Sequence, residues 1–239
     1  MQLKLDLHVH SLHSPDGQMS LEEIVSLCRT RGLNGAAVCD HDRVLTSQPA
    51  FSDFLLIPGV EVSTQFGHLL GLFVSQPIHT NDFYAAVDAI HAQGGLAVLA
   101  HPFQHSAEES RIAPIVHLLD GIEVFNSRAA RKNKSANGMA AEFAQVHGLA
   151  PFAGSDAHVP QEIGNATITL DVTDERPETV KAALLCGQGH ITGQNSPARY
   201  TARSQLTKLI KTQASISSYL RWTLFATKCY AQDFFTKGE

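Results

Sequence analysis

The stretch Leu3-Lys4-Leu5-Asp6-Leu7-His8-Val9-His10 alternates apolar and polar side chains with a period of two, the pattern of a strand with two unlike faces. Leu3, Leu5, Leu7 and Val9 share one face, and Asp6, His8 and His10 share the other. Two imidazoles on one side of a pleat can reach a common ion at roughly 2.0–2.1 Å, the usual Zn–N distance. A His-x-His pair is more often an ordinary half-exposed pair, so its meaning depends on what the rest of the chain sets beside it.

The unit that follows repeats. Ser20-Leu21-Glu22-Glu23 forms a capping box that opens a helix ending at Gly32. Gly35–Cys39 reads as a short buried strand delivering Asp40-His41-Asp42 at its C-terminal end. Phe54–Ser63 and Gly67–Val74 read as a strand and its return, so Glu61 and His68 flank a hairpin. A helix over Asp82–Ala92 stops at Gly94-Gly95, and strand Leu96–Ala100 ends in His101-Pro102. Helix Arg111–Leu119 and strand Gly121–Phe125 bring up Glu123 and Asn126. Helix Ser135–His147 and strand Leu149–Ala153 end in Gly154-Ser155-Asp156-Ala157-His158. A strand at Ala166–Leu170, a helix from Pro177 to Gly187 and a strand at His190–Thr192 close the series.

Strands alternating with helices predict an α/β fold with a mainly parallel sheet, and this many units predict a barrel rather than an open sheet. In such barrels the site lies at the C-terminal strand ends, which is where His8, His10, Asp40, His41, Glu61, His101, Asp156 and His158 fall. The character changes at Ser196, so the barrel is expected over residues 1–195 and a helical extension over 196–239. The extension carries a stripe of Leu206, Leu209, Ile210, Ile216, Leu220, Leu224 and Phe225. A helix packed on the outside of the barrel is the plain expectation; a docking helix for a partner or second subunit is the alternative.

Composition narrows the function classes. At 239 residues and 44% hydrophobic content the chain can bury a barrel-sized core. Its net charge of −5, with no long basic run, argues against a stable nucleic-acid partner held by its backbone, though not against a nucleic-acid substrate. Cys28, Cys39, Cys186 and Cys229 show no C-x-x-C spacing and are read as packing residues. With no secretory pattern at the start, a cytoplasmic location is expected. No run approaches the ~18 apolar residues of a membrane span, so no membrane partner is expected.

The segments DLHVHS, CDHD, GVEVS, GHLLGL, AHPF, IEVFN and GSDAH occur in the order found in the PHP (polymerase and histidinol phosphatase) superfamily, and the chain resembles its small single-domain members over roughly residues 1–192. The resemblance implies a distorted seven-stranded, TIM-like (β/α)7 barrel and a trinuclear metal site for phosphoester hydrolysis. It implies one metal on His8, His10, Glu61 and Asp156, a second on Glu61, His68 and His101, and a third on Asp16, His41 and His158. Asp40 and Glu123 are read as residues that orient these ligands. Two to three divalent transition metals are expected, because mixed imidazole and carboxylate donors suit Mn, Fe or Zn rather than Mg or Ca.

Glu61 would bridge two ions and position a shared hydroxide for in-line attack on phosphorus, with Asp156 or His158 carrying the proton. Arg128 is the preferred phosphate ligand among the basic residues Arg43, Arg128, Arg131, Lys132 and Lys134. His13, His79, His91, His105, His117, His147 and His190 fit no motif and are read as surface or packing residues. The expected substrate is a small phosphorylated metabolite, a nucleotide or a short oligonucleotide, as monoester or diester. Two other readings compete. An amidohydrolase-type hydrolase would want a lysine bridging its metals, and none stands at a strand end between Lys4 and Lys132. A catalytically silent metal-binding or interaction module would be expected to have lost ligands, and all nine positions are filled.

Overall fold

The computed structural model describes residues 1–45, 51–105 and 108–236. Nine strands form one sheet in the order β7-β6-β5-β4-β3-β2-β1-β8-β9. They are β1 (Gln2–Val9), β2 (Gly35–Val38), β3 (Leu55–Thr64), β4 (Gly67–Leu72), β5 (Leu96–Leu99), β6 (Gly121–Asn126), β7 (Ala150–Gly154), β8 (Ala166–Asp171) and β9 (His190–Gly193). The helices are α1 (Leu21–Thr30), α2 (Phe83–His91), α3 (Ala136–His147), α4 (Pro177–Leu185), α5 (Ala198–Lys211) and α6 (Ile216–Thr236).

The sheet is mixed rather than mainly parallel. β1–β2, β2–β3, β5–β6 and β6–β7 pair in parallel, while β3–β4, β4–β5, β1–β8 and β8–β9 pair antiparallel. The hairpin β3–β4 reverses the chain without a helix. Between β2 and β3 none of the described residues is helical. A second departure lies before β6, where the expected helix over Arg111–Leu119 is two 3-10 segments, Glu109–Arg111 and Ala113–Leu118. Pro114 lacks an N–H, and its ring disfavours helical backbone at Ala113, so one continuous α-helix cannot run through this point.

The sheet curls into a nearly closed barrel because β1 changes partner along its length. Its first half pairs with β8 through Gln2–Leu5. Its last residues meet the chain leaving β7: His10 N–H donates to Ala157 O at 2.8 Å, and Asp156 N–H donates to His8 O at 2.8 Å. Asp6 fastens the same seam, accepting from Ser155 N–H at 2.9 Å, Ser155 Oγ–H at 2.6 Å and Gly164 N–H at 2.8 Å. Gly154 makes the approach possible, since a Cβ there would stand 2.2 Å from the Cβ of His8.

Apolar clusters fill the barrel and the space under its helices. Leu3, Leu5, Leu7, Ile57, Leu70 and Phe152 form the inner one, while Ile24, Val25 and Cys28 seat α1 and Phe83, Val87 and Ile90 seat α2. The α1 capping box forms as read, with Ser20 N–H donating to Glu23 Oε2 at 2.8 Å and Glu23 N–H donating to Ser20 Oγ at 3.2 Å. The helices after Ser196 are joined by a small cluster of Ala198, Ala202, Ala226 and Cys229, with Trp222 and Phe225 beside it. One face of α6 leaves Ile216, Leu220 and Leu224 exposed. None of the helices among the described residues is long and apolar enough to cross a membrane.

Candidate metal centre

All nine expected ligands converge at one end of the barrel near the carboxylate of Glu61, most from C-terminal strand ends, His68 from the start of β4 and Asp16 from the loop between β1 and α1. Glu61 Oε1 lies 2.7 Å from His68 Nδ1, 3.1 Å from His101 Nε2 and 3.6 Å from His8 Nε2. Glu61 Oε2 lies 2.9 Å from His41 Nδ1 and 3.4 Å from His10 Nε2. Asp156 Oδ1 stands 3.3 Å from His10 Nε2 and 3.4 Å from His158 Nδ1. Three trios have donor atoms all within 4.8 Å of one another: His8, His10 and Asp156; Glu61, His68 and His101; and His10, His41 and His158. In the last, His10 stands where the family resemblance implied Asp16. Asp16 is nevertheless adjacent, with Oδ1 at 3.4 Å from His158 Nε2 and 3.6 Å from His41 Nε2.

Hydrogen bonds on the outer side of the rings decide which nitrogen faces inward. His8 Nδ1 lies 3.0 Å from Glu123 Oε1, so Nδ1–H donates outward and Nε2 is the nitrogen turned into the cluster, where, against burial, Glu123, Asp156 and Glu61 raise this imidazole well above its ordinary value. Ser14 Oγ–H donates to Asp40 Oδ1 at 2.7 Å and therefore accepts from His10 Nδ1–H at 3.0 Å and from His41 N–H at 3.1 Å. His10 Nε2 thus faces inward as well, unprotonated and 3.1 Å from His8 Nε2. Two such nitrogens among carboxylate oxygens require a cation between them, a proton or a metal ion. Asp16 Oδ1 is buried with no hydrogen-bond partner of its own. An orphaned carboxylate oxygen and inward imidazole lone pairs are the donor set of a divalent transition ion, so the residues present fit the metals the resemblance implies.

The electrostatics agree with mutual neutralisation. Burial alone would raise the Glu61 carboxyl, but the imidazoles of His68, His41 and His8 hold it well below the usual range. Asp156 is likewise held low against burial, chiefly by His8 and by its contact with His10. Burial works against a charged His41, yet the Glu61 carboxylate outweighs it and lifts the imidazole to about 9. His158 goes the other way, pushed well down by burial and by Arg128. Two of the candidate ligands also carry left-handed backbone, His101 at φ 29° and Asp156 at φ 55°. Such conformations cost free energy and persist where the surroundings over-determine them, as at functional sites.

The supporting residues act through these ligands. Glu123 Oε2 accepts from His101 N–H at 2.9 Å and from Asn126 Nδ2 at 2.9 Å, so one side chain holds His8 and His101 together. Asp40 acts at one remove, fixing Ser11 Oγ at 2.6 Å and Ser14 Oγ at 2.7 Å. Arg128 lies on the cavity wall, but its donors are largely spent. Nε and Nη2 bind the two oxygens of Glu162 at 2.8 and 2.6 Å, and Nη1 reaches Ser204 Oγ at 3.3 Å. Glu162 in turn accepts from His158 N–H at 3.1 Å. The geometry therefore makes Arg128 an anchor of the His158 turn, in place of the free phosphate ligand expected from its position after β6.

The cluster lines a cavity of about 740 Å³ whose wall also includes Arg131, Lys132, Gln205, Lys208, Arg221 and Trp222. The helices after Ser196 therefore do more than pack on the outside of the barrel. Arg131 lies over the Phe225 ring at 5.5 Å from its centroid, and Lys132 Nζ stands 2.7 Å from His105 Nε2. His105, read as a surface residue, lines the cavity. Ser14 and the wall residues Gln205, Lys208, Arg221 and Trp222 were not found from sequence, whereas Arg131 and Lys132 stood among the basic candidates. Ser14 adjoins Pro15-Asp16-Gly17, where a hydroxyl beside a candidate ligand was the available signal; those wall residues gave none.

Comparison with known proteins bears on the fold and the family. A family model described as PHP-associated matches residues 134–188. The uncharacterized protein MJ0417 of Methanocaldococcus jannaschii is 34% identical over 188 residues, 74% of this chain and 74% of that protein. Among solved structures, a two-domain protein from Bacteroides vulgatus containing a PHP-like metal-dependent phosphoesterase superposes with a TM-score of 0.62 at 17% identity, covering 87% of this chain and 70% of that one. The lesion-specific endonuclease EndoQ of Pyrococcus furiosus gives a TM-score of 0.57 at 18% identity, covering 80% of this chain and 58% of its own. At such identities these two likenesses are likenesses of fold. With that fold, a matched family model and a relative one-third identical over most of both chains, the chain belongs to the PHP superfamily.

Proposed function

We propose that the protein is a metal-dependent phosphoesterase acting on a small phosphorylated metabolite, a nucleotide or the end of a short oligonucleotide. The observation that carries this reading is the placement of Glu61, whose two oxygens face different groups of imidazoles, His68 and His101 on one side and His41 and His10 on the other. A carboxylate so placed is suited to bridging two ions. Bound there, divalent ions would supply Lewis-acid stabilisation of phosphoryl charge and acidify a water.

The remaining work falls to the chain. Glu123 and Ser14 keep the His8 and His10 lone pairs aimed inward. His158 Nδ1–H donates to Asp156 O at 2.8 Å, which leaves its Nε2 free to bind an ion or to take a proton. Those two roles compete for one atom. Were three ions bound, His158 would serve as a ligand; were only two, its Nε2 would be left to take the proton, and Asp156, held acidic against burial by His8 and His10, would be the weaker base. In the same cavity Arg131, Lys132, Lys208 and Arg221 offer positive charge to the rest of the substrate.

The test is a screen of phosphorylated metabolites and di- and trinucleotides with protein loaded separately with Mn²⁺, Fe²⁺ and Zn²⁺. Turnover abolished by chelation and restored by one of these ions is the expected result. Failure of every fully loaded form to release phosphate or cleave a diester overturns the reading.

A further inference from the structure

Loop 11–17, between β1 and α1, carries two groups the cluster depends on: the Asp16 carboxylate and the Ser14 hydroxyl that holds His10 and His41. It is wound so tightly that a Cβ at Gly17 would stand 1.9 Å from Ser11 O. This winding turns the carbonyl oxygens of Leu12, Ser14 and Gly17 toward a single point. Convergent carbonyl dipoles repel one another, and each oxygen needs a donor. Lys211, in the last turn of α5 and 194 or more residues away in sequence, fills the point. Its Nζ donates to Leu12 O at 2.7 Å, Ser14 O at 2.9 Å and Gly17 O at 2.7 Å. An ammonium has three N–H donors, and the three carbonyls take them all. Thr207, one turn earlier on α5, adds a contact by accepting from Gln18 Nε2 at 2.7 Å.

We infer that Lys211 is a positioning residue of the metal centre: a tethered cation that holds loop 11–17 wound, and thereby fixes Asp16 against His41 and His158 and Ser14 against His10. The proposal rests on reading the cluster as a metal centre. A neutral side chain at 211 leaves three carbonyl oxygens without their donor, and the loop relaxes toward water. Arginine does not replace lysine here, because its donors lie in one plane whereas the three carbonyls surround a point. Loss of an outer partner of this kind costs roughly 10–100-fold in metal affinity.

Manganese binding measured by equilibrium dialysis with elemental analysis tests this on the full chain. The proteins compared are wild type, Lys211→Met, Lys211→Ala with and without methylammonium, and Lys228→Met as a control for the loss of one positive charge on α6. The expected result is a roughly 10–100-fold weaker affinity for the weakest-bound ion in both Lys211 variants, with Lys228→Met unchanged. Methylammonium, which brings three N–H donors, should restore part of the affinity in Lys211→Ala and none in Lys211→Met, whose side chain occupies the space. Amide hydrogen exchange should quicken within residues 11–17 in the Lys211 variants. Wild-type affinity in folded Lys211→Met overturns the proposal. Should that variant fail to fold, wild-type affinity in Lys211→Ala without methylammonium overturns the proposal equally. A wild-type protein that takes up none of Mn²⁺, Fe²⁺ and Zn²⁺ overturns the metal-centre reading itself, a result distinguishable from any defect confined to the Lys211 variants.

Discussion

The floor of the cavity is buried and built from carboxylates and imidazoles, whereas the rest of its wall, formed by α5, α6 and the chain after β6, carries the exposed cations Lys132, Lys208 and Arg221. Each floor ligand stands among fixed partners. Glu123 holds His8 and His101, Ser14 holds His10 and His41, and Glu162 holds the turn of His158. The wall rests on a handful of small residues, Ala198, Ala202, Ala226 and Cys229, and on the Arg131–Phe225 contact. Chemistry at the floor therefore tolerates little displacement, while the wall can change its side chains without disturbing the floor. Lys211 links the two: it stands on α5, which supplies part of the wall, and its head group binds the loop that carries Asp16.

The sharpest test of that contrast is Glu61→Gln. Removing one charge from the centre of the cluster should cut turnover by at least on the order of 10²–10³-fold in fully loaded protein, with the fold retained by circular dichroism. Turnover near wild type at full metal loading would show that the floor is not organised around this carboxylate.

Arg128→Ala separates an anchor from a substrate contact. It leaves Glu162 buried and unpaired, which should cost about 3–5 kcal/mol of stability by denaturant titration. A variant as stable as wild type with a raised KM would return Arg128 to the role of phosphate ligand.

A smaller effect is expected from Glu123→Gln. The amide still accepts at one atom but no longer offers acceptors to both His8 and His101, so metal affinity should fall roughly 10–100-fold, measured by competition with a chromogenic chelator. If Glu61→Gln and Glu123→Gln prove equally damaging, the division into bridging and orienting carboxylates fails.

The wall should give the mildest response. Lys208→Ala combined with Arg221→Ala should raise KM with kcat nearly unchanged and shift stability by no more than about 0.5 kcal/mol. For the wild type, log(kcat/KM) should fall by only about one or two units per decade of salt, since few substrate phosphates are engaged at once. A steep slope with a preference for long strands would identify an extended nucleic-acid surface.

Protonation gives a last, smaller observable at the floor. Because Glu61 lifts His41 to about 9 against the effect of burial, this imidazole carries a proton at pH 7.5 in the metal-free protein and loses it on ligation. Metal affinity should therefore rise with pH up to about 9. Calorimetry in two buffers of different ionisation enthalpy should register proton release at pH 7.5, and identical heats would show that no protonated imidazole of the cluster, His41 included, gives up its proton to an ion.

The amino-acid sequence determined the strands and the identity of the floor. Period-two alternation in β1, short apolar runs bounded by glycine, and His, Asp or Glu at the run ends are local properties, and the structure gathers those side chains together around Glu61. Sequence reasoning failed where the deciding partner is remote. The closure of β1 against the end of β7 depends on Asp6 meeting Ser155 and Gly164, and no local pattern encodes that contact. The antiparallel pairings around β4 and β8, the pairing of Arg128 with Glu162, and the choice of which imidazole nitrogen faces inward were likewise settled by groups brought near only in the fold. The C-terminal helices show the limit most plainly. The apolar stripe foretold a buried face, but Ile210, Ile216, Leu220 and Leu224 of that stripe are exposed and the helices pack instead through Ala198, Ala202, Ala226 and Cys229, because periodicity carries no information about which surface receives a helix. Only tertiary packing placed Lys208 and Arg221 in one cavity with Glu61 and set Lys211 among three carbonyl oxygens of the loop that carries Asp16.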